Sequence, residues 1–306
     1  MLQDRKIILV TRKTRLQELK EKYCTLGQAK FYIEHLGERF DDYVSEDALY
    51  NEATKRVLLT IKRIGRVQLL ERGMLATYQF AQDDVVIALG QDGLVANTLK
   101  YLDGQPLIAI NPIPDLFDGV LLPFIVSETS EVINAVLENS MGIKHISMAK
   151  VSTNLGESLL AVNDVFVGPK SHSSARYEIC IDDVQEEQSS SGVIVSTGLG
   201  STGWFKSIIA GASGIANRPL HQQFSNGFAW DAPELYYTVR EPFPSTVTKA
   251  TLVFGKIVSN ARLKMTSKMV ENGVIFSDGM EHDPINFNAG TTVTIGLSQT
   301  KGKLVF

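Results

Sequence analysis

The chain has 306 residues, 44% hydrophobic and 21% charged, with a formal net charge of −4. That length suits two domains rather than one, and the balance is that of a folded globular protein, which excludes extensive disorder. No basic stripe argues for nucleic acid as a partner, and no apolar run approaches the roughly 18–20 residues of a membrane span. The two cysteines, Cys24 and Cys180, form no CxxC and no zinc site. The apolar run after MLQDR is too short for the core of a signal peptide, so the expectation is a reduced, cytoplasmic chain.

Lys6–Val10 (KIILV) is a continuous apolar run bounded by charge, which predicts a strand buried on both faces, as in a parallel sheet. Leu16–Tyr23 and Gln28–Leu36 carry apolar residues at helical spacing. From Val44 to about Tyr78 the pattern is amphipathic and free of proline, which predicts one or two long helices, with Gly65 and Gly73 as breaks. Asp84–Leu89 (DVVIAL) is a second buried strand. It ends in Gly90-Gln91-Asp92-Gly93, is followed by a helix to about Leu102 and then by a third strand, Leu107–Ile110. Strand, helix, strand in this order is a βαβ unit of a parallel sheet.

The character changes after Asn139. Short segments rich in β-branched and aromatic residues follow: Ile146–Val151, Leu159–Val167, Ala175–Ile181, Val193–Ser196, Leu235–Val239, Thr251–Phe254, Arg262–Thr266, Val274–Phe276 and Thr291–Ile295. They predict an all-β module, interrupted by a helix over Ser201–Ala212. The expected division is 1–139 for an α/β domain, 140–288 for the β domain, and 289–306 for strands returning to the first domain.

Four places carry chemistry. Gly90–Gly93 stands at the carboxyl end of a buried strand, where open α/β sheets bind ligands. Glycines there admit phosphate oxygens to backbone N–H groups at a helix start, and Asp92 suits either Mg²⁺ or a proton from an attacking hydroxyl. An ordinary strand-to-helix turn explains the same tetrapeptide. Asn163-Asp164, inside the apolar run Ala161–Gly168, is costly to bury without partners. A ribose diol would satisfy the pair, and so would a bulge open to water. Ser191–Trp204 (SGVIVSTGLGSTGW) places glycines and hydroxyls at a helix entrance, where they suit an anion or a sugar. There Trp204 is either a stacking surface for a base or part of the core. The loop Thr11-Arg12-Lys13-Thr14-Arg15 brings cations to the end of the first strand, a setting for a triphosphate or a solvated surface run.

Together these residues resemble the NAD kinase family over most of the chain. Gly90-Gln91-Asp92-Gly93 corresponds to the family's Gly-Gly-Asp-Gly, and Asn163-Asp164 to its Asn-Glu. Thr197-Gly198-Leu199-Gly200-Ser201-Thr202-Gly203-Trp204 corresponds to its Thr-Pro-Thr-Gly-Ser-Thr-Ala-Tyr, and Ser277-Asp278-Gly279 to its closing segment. The Thr-Gly-x-Gly-Ser loop, and Arg12–Arg15, are most similar to the mitochondrial-type branch. The resemblance implies a Rossmann-like α/β domain with an all-β domain, and transfer of the ATP γ-phosphate to the adenosine 2′-hydroxyl of NAD, with Mg²⁺. It implies Asp92 as general base, and Asn163 and Asp164 on the dinucleotide ribose. Thr202, Trp204 and Ser207 would lie on the adenine side, and Gly90, Gly93 and the loop around Gly200 would cradle ATP. Arg12, Gln91, Asn111, Thr197 and Ser201 complete the implied binding set. The implied partners are small nucleotides and further copies of the chain.

The sequence departs from the family at Gln91, which replaces a glycine, and at Leu94, which replaces a threonine. Asp164 is one methylene shorter than the family's Glu, and Asn111–Gly119 (NPIPDLFDG) is a longer loop. These departures leave open a non-catalytic nucleotide sensor on the same fold. A lipid or sugar kinase of the related superfamily is the other alternative.

Overall fold

The sequence alternates between two habits of burial, and the fold follows them. In a computed structural model, residues 5–218, 224–280 and 284–306 are described. The first part runs Lys6–Thr11 (β1), Arg15–Tyr23 (α1), Leu26–His35 (α2), Phe40–Ile61 (α3), Arg66–Glu71 (β2), Val85–Leu89 (β3), Asp92–Leu99 (α4), Pro106–Asn111 (β4), Phe124–Ile125 (β5) and Thr129–Leu137 (α5). The second runs Ile143–Ile146 (β6), Ala149–Thr153 (β7), Ser158–Ala161 (β8), Asp164–Pro169 (β9), Ala175–Ile181 (β10), Val184–Ser190 (β11), Val193–Ser196 (β12), Trp204–Ala216 (α6), Glu234–Val239 (β13), Phe254–Val258 (β14), Leu263–Ser267 (β15), Gly273–Ser277 (β16), Ile285–Asn286 (β17), Thr292–Leu297 (β18) and Gly302–Val305 (β19). Two compact units result: residues 1–143 with 303–306, and residues 144–302.

In the first unit, β1 pairs in parallel with β2 and β3, β3 with β4, and β4 with β5 and β19. The order of its strands is β2-β1-β3-β4-β19, with β5 beside β4. Every residue of β3 is buried, the both-faces pattern of a strand covered by helices. Ile7, Leu9, Val85, Ile87, Ile108 and Ile110 share one cluster with Val57 and Ile61 of α3 and Val132 and Ile133 of α5. Thr14 starts α1 with a capping box: its hydroxyl accepts from the Gln17 N–H, and the Gln17 amide accepts from the Thr14 N–H.

The second unit holds two six-stranded sheets, β11-β10-β15-β18-β7-β8 and β14-β13-β12-β9-β16-β17, all antiparallel in the pairings described. Alternate residues, such as Val151, Ile179, Met265 and Ile295 from one sheet and Val165, Val195, Tyr237 and Ile275 from the other, form one core.

Some expectations are corrected. Residues 66–71 form β2, not helix, in parallel register with β1 from Lys6↔Arg66 to Thr11↔Glu71. As an edge strand β2 buries only Leu70 fully, so its pattern resembles an amphipathic helix. The segment Leu159–Val167 is split into β8 and β9 by Val162 and Asn163, so Asn163 stands in a turn and Asp164 opens the next strand. Residues 289–306 do not return as a block. The alternating Thr292-Val293-Thr294-Ile295 buries Val293 and Ile295 in the core of the second unit, and β18 pairs there with β15 and β7. Only β19, with Leu304 and Val305 both buried, joins β4.

Candidate functional site

In the first unit the candidate residues gather where β3 ends. The Gly90 N–H donates to the Ile110 carbonyl at 3.2 Å. A Cβ on Gly90 would lie 2.7 Å from Leu94 Cδ2, so this turn admits no side chain while Leu94 fills it. Gln91 is the N-cap of α4 at φ −111°, ψ 168°, an extended conformation open to any residue, and the substitution for glycine carries no strain. Gly93 is exposed, with no atom within 4 Å of where a Cβ would stand, so its backbone is open at the positive end of the helix.

Asp92, the first residue of α4, is held by the loop that follows β4. Its Oδ2 accepts the Val120 N–H at 3.0 Å and its Oδ1 the Leu121 N–H at 2.8 Å. Asn111 shapes that loop: Nδ2 donates to the Phe117 carbonyl at 2.8 Å and Oδ1 accepts the Ile113 N–H at 3.0 Å. Gly119 turns it at φ +60°, a conformation glycine adopts without the cost of a Cβ. Both ends of the Asn111 amide are therefore engaged within the loop.

Arg12 is engaged too. Nη2 donates to Glu46 Oε1 at 3.0 Å, Nη1 to the Lys13 carbonyl at 2.9 Å, and Arg15 Nε reaches Glu46 Oε2 at 2.6 Å. Glu46 is 2% exposed. The Arg12 guanidinium lies 5.3 Å from the Tyr50 ring centre and 5.6 Å from that of Phe117, and its Nε is buried without a hydrogen-bond partner. Tyr50 accepts from the Arg12 N–H and donates to the Leu89 carbonyl at 2.8 Å; burial raises the pKa of its hydroxyl. Arg12 thus ties the loop after β1 to α3 and to the loop after β4. A cleft of about 630 Å³ opens beside it, lined by Arg15, Tyr43, Leu49, Ile113 and Leu116 among others.

In the second unit the turn between β8 and β9 packs against the loop between β12 and α6. Thr197 donates from Oγ1 to the carbonyls of Val162 and Asn163, and its N–H reaches the Asn163 carbonyl at 2.9 Å. The Gly200 N–H donates to Thr197 Oγ1 at 3.2 Å. A Cβ on Gly200 would overlap the Asn163 carbonyl oxygen, so the glycine is required by close approach. Ser201 is fully buried; its hydroxyl donates to the Gly198 carbonyl at 2.6 Å and accepts the Phe228 N–H at 3.0 Å. Thr202 is exposed. Ser207, also exposed, bonds back to the Gly203 carbonyl at 3.4 Å.

Asp278 fixes the backbone of the same turn. It sits at φ +54°, and its carboxylate accepts the N–H groups of Val162, Asn163 and Asp164 at 2.6–3.2 Å. This leaves the Asp164 carboxyl largely buried near a second carboxylate. Burial first, and the charge of Asp278 second, push its pKa up from 3.8 to about 7. Trp204, at the start of α6, is stacked on Phe166 with ring centres 5.6 Å apart and planes 18° apart. The Arg240 guanidinium lies 5.3 Å from its ring centre. A base would have to compete with these neighbours for the indole face.

Asp278, Tyr50 and Glu46 also hold these loops in place. An Asp-Gly pair with positive φ at both residues is a turn signal. The buried Glu46 has no local signature, since its partners lie 31 and 34 residues away. Among the described residues no group of three or more His, Cys, Asp or Glu is arranged to hold a metal ion, and no helix is long and apolar enough to cross a membrane.

No family model matches the sequence. NAD kinase 2 of Geobacillus kaustophilus (strain HTA426) is 20% identical over 147 residues, 46% of this chain and 54% of the relative. The chain thus spans about half the length of the curated relative it matches. Two solved structures cover nearly all of it. Yeast NADH kinase complexed with NADH superposes with a TM-score of 0.58 at 14% identity over 99% of this chain and 83% of its own. An NAD kinase from Archaeoglobus fulgidus in complex with ATP gives 0.56 at 17% identity over 98% and 93%. The chain therefore has the fold of the NAD kinases, an α/β unit with parallel strands followed by an antiparallel all-β unit. The family resemblance agrees with the names of this relative and these two structures.

Proposed function

We propose that this chain is an NAD kinase-like phosphotransferase, moving the γ-phosphate of ATP to the adenosine ribose 2′-hydroxyl of NAD to give NADP. The observation that carries the reading is the placement of Asp92. It stands at the start of α4, beside the exposed backbone of Gly93, with its carboxylate fixed by two backbone N–H groups. A carboxylate has about four acceptor positions, so two remain for an attacking hydroxyl.

In the step, the 2′-hydroxyl gives its proton to Asp92 as its oxygen bonds to the γ-phosphorus. The bond to the bridging oxygen breaks and ADP leaves. The transfer is mainly positioning and charge neutralisation. Gly90, Gly93 and the start of α4 would face phosphate oxygens; Asn163 and Asp164 would take ribose hydroxyls; Thr202, Trp204 and Ser207 would border the adenine. Gln91 would meet the phosphates with a flexible amide, while Thr197, Gly200 and Ser201 hold the turn that presents Asn163. Arg12 and Asn111 would act by fixing the loops that frame Asp92. Mg²⁺ would arrive on the nucleotide, as expected where one carboxylate rather than a protein cage is at hand, and would neutralise phosphate charge. Homo-oligomerisation is part of the proposal, checked by light scattering on the purified protein.

A second reading, a nucleotide sensor without turnover, is favoured by one observation: both oxygens of Asp92 already accept hydrogen bonds. Incubation with ATP, Mg²⁺ and NAD, with NADP read by a coupled dehydrogenase, separates the two. Turnover lost in Asp92→Asn supports the kinase; nucleotide binding without NADP supports the sensor.

A further inference from the structure

The sheet β11-β10-β15-β18-β7-β8 turns one face to the core of the second unit and carries polar residues on the other. On β18, Val293 and Ile295 are buried in the core, whereas Thr294 and Gly296 belong to the opposite face. The neighbouring strand β7 sets Lys150 beside Gly296 and Ser152 beside Thr294. On the other side, Arg262 immediately precedes β15, where Leu263 pairs with Ile295. Together they border a groove of about 330 Å³, none of whose lining residues is used in the proposed chemistry.

Three features distinguish this groove from an ordinary polar sheet face. First, Gly296 is its floor: a Cβ there would overlap Arg262 Cδ and stand 2.7 Å from its Nε, so the glycine lets the arginine lie flat across the strand. Second, the guanidinium is held in place. Nη1 donates to the carbonyls of Ser259 and Ala261 at 2.8 and 2.7 Å, leaving Nε and Nη2 uncommitted in the hydrogen bonds described. Third, the lining is one-sided in charge. Lys150 and Arg262 are its cations, Ser152, Thr294, Ser298 and Thr300 supply hydroxyls, and no carboxylate is among the described lining residues. Neither cation forms an ion pair among the described residues.

From this we infer that the Lys150–Arg262 groove is an anion site for a phosphate-bearing small molecule, separate from the residues proposed for phosphoryl transfer. A fixed guanidinium matches two phosphate oxygens, a lysine adds a mobile point charge, and hydroxyls complete the shell. Three acceptor oxygens on a dianion suit this mixture better than the flat, two-oxygen edge of a carboxylate. The volume admits a phosphate with a small organic group, not a dinucleotide, since drug-sized sites begin at about 300 Å³.

The test is an amide-shift titration of the ¹⁵N-labelled full chain with inorganic phosphate at constant ionic strength, repeated with malonate. The inference predicts saturating shifts at Gly296 and Ser298, with a dissociation constant weakened at least tenfold in Lys150→Gln and in Arg262→Gln, and malonate weaker than phosphate. Circular dichroism and the remaining amide shifts report that each variant is folded. Shifts that rise linearly without saturating, that persist in both variants, or that malonate reproduces at equal strength would overturn it. Gly296→Ala is an independent check. It should displace Arg262 and weaken phosphate, whereas unchanged affinity would show that the held guanidinium is irrelevant. None of these outcomes depends on whether NADP is formed.

Discussion

Asp164→Asn should make the protein more stable at pH 8 and leave it nearly unchanged at pH 4. In the folded state Asp164 holds its proton up to about pH 7, whereas its ordinary value is 3.8. Below about pH 4 both folded and unfolded chains are protonated there. Between 4 and 7 the unfolded chain has released a proton that the folded chain keeps, so stability falls as pH rises, and it levels off above 7. The difference, 7 less 3.8, corresponds to about 4 kcal/mol at 1.36 kcal/mol per pH unit. The side chain keeps some contact with water, so about half of that is expected. Asparagine matches the neutral carboxyl in shape and ionises at no pH. Urea unfolding at pH 4.5, 6 and 8 should therefore show the variant gaining on the parent by about 2 kcal/mol across the range. The parent's Asp164 carboxyl ¹³C resonance should titrate near pH 7. A gap that stays flat with pH, or a resonance that titrates near 4, would refute the argument that burial beside Asp278 raises this carboxyl.

Four other substitutions follow from the same geometry. Gln91→Gly should change stability by less than about 1 kcal/mol, the entropic cost of glycine, because Gln91 is extended; thermal unfolding checks it. Gly200→Ala should cost about 3 kcal/mol or more by driving a methyl into the Asn163 carbonyl, seen as a fall in urea midpoint. Glu46→Ala should cost about 3 kcal/mol by removing the carboxylate partner of the largely buried Arg12 cation, and in the same unfolding assay Arg12→Met in that background should recover part of the loss. Asn111→Ala should lower kcat about tenfold with little change in KM for ATP, if its part is to hold the loop whose N–H groups fix Asp92.

The two-unit architecture was legible because burial habit changes along the chain. DVVIAL and KIILV are apolar on both faces, whereas TTVTIG alternates, and each pattern belongs to one sheet type. What the sequence concealed is non-local. β2 looked helical because an edge strand with one fully buried residue has no clean period of two. β11 (VQEEQSS) was missed because its inward positions are Glu186, Gln188 and Ser190. These are polar residues satisfied by Thr251, Leu252 and Tyr177 across the fold, and no local pattern announces such partners. Asp92 and the Thr197–Trp204 loop were visible as turns at strand ends. Their anchors, the N–H groups of Val120 and Leu121 and the carbonyls of Val162 and Asn163, were not, because a backbone group has no residue signature.

In the proposed reaction Asp92 takes a proton from a ribose hydroxyl during phosphoryl transfer. Asp92→Asn also turns an amide N–H₂ toward one of the two backbone N–H groups, so nucleotide binding by calorimetry has to accompany the rate. The most direct measurement is NADP formation from ATP, Mg²⁺ and NAD by the parent and by Asp92→Asn. The expected result is turnover by the parent and a loss of at least about a hundredfold in the variant, the usual scale for a general base, with NAD affinity within a few-fold. An NADP rate unchanged in Asp92→Asn, or no NADP from a parent that binds both nucleotides, would contradict it.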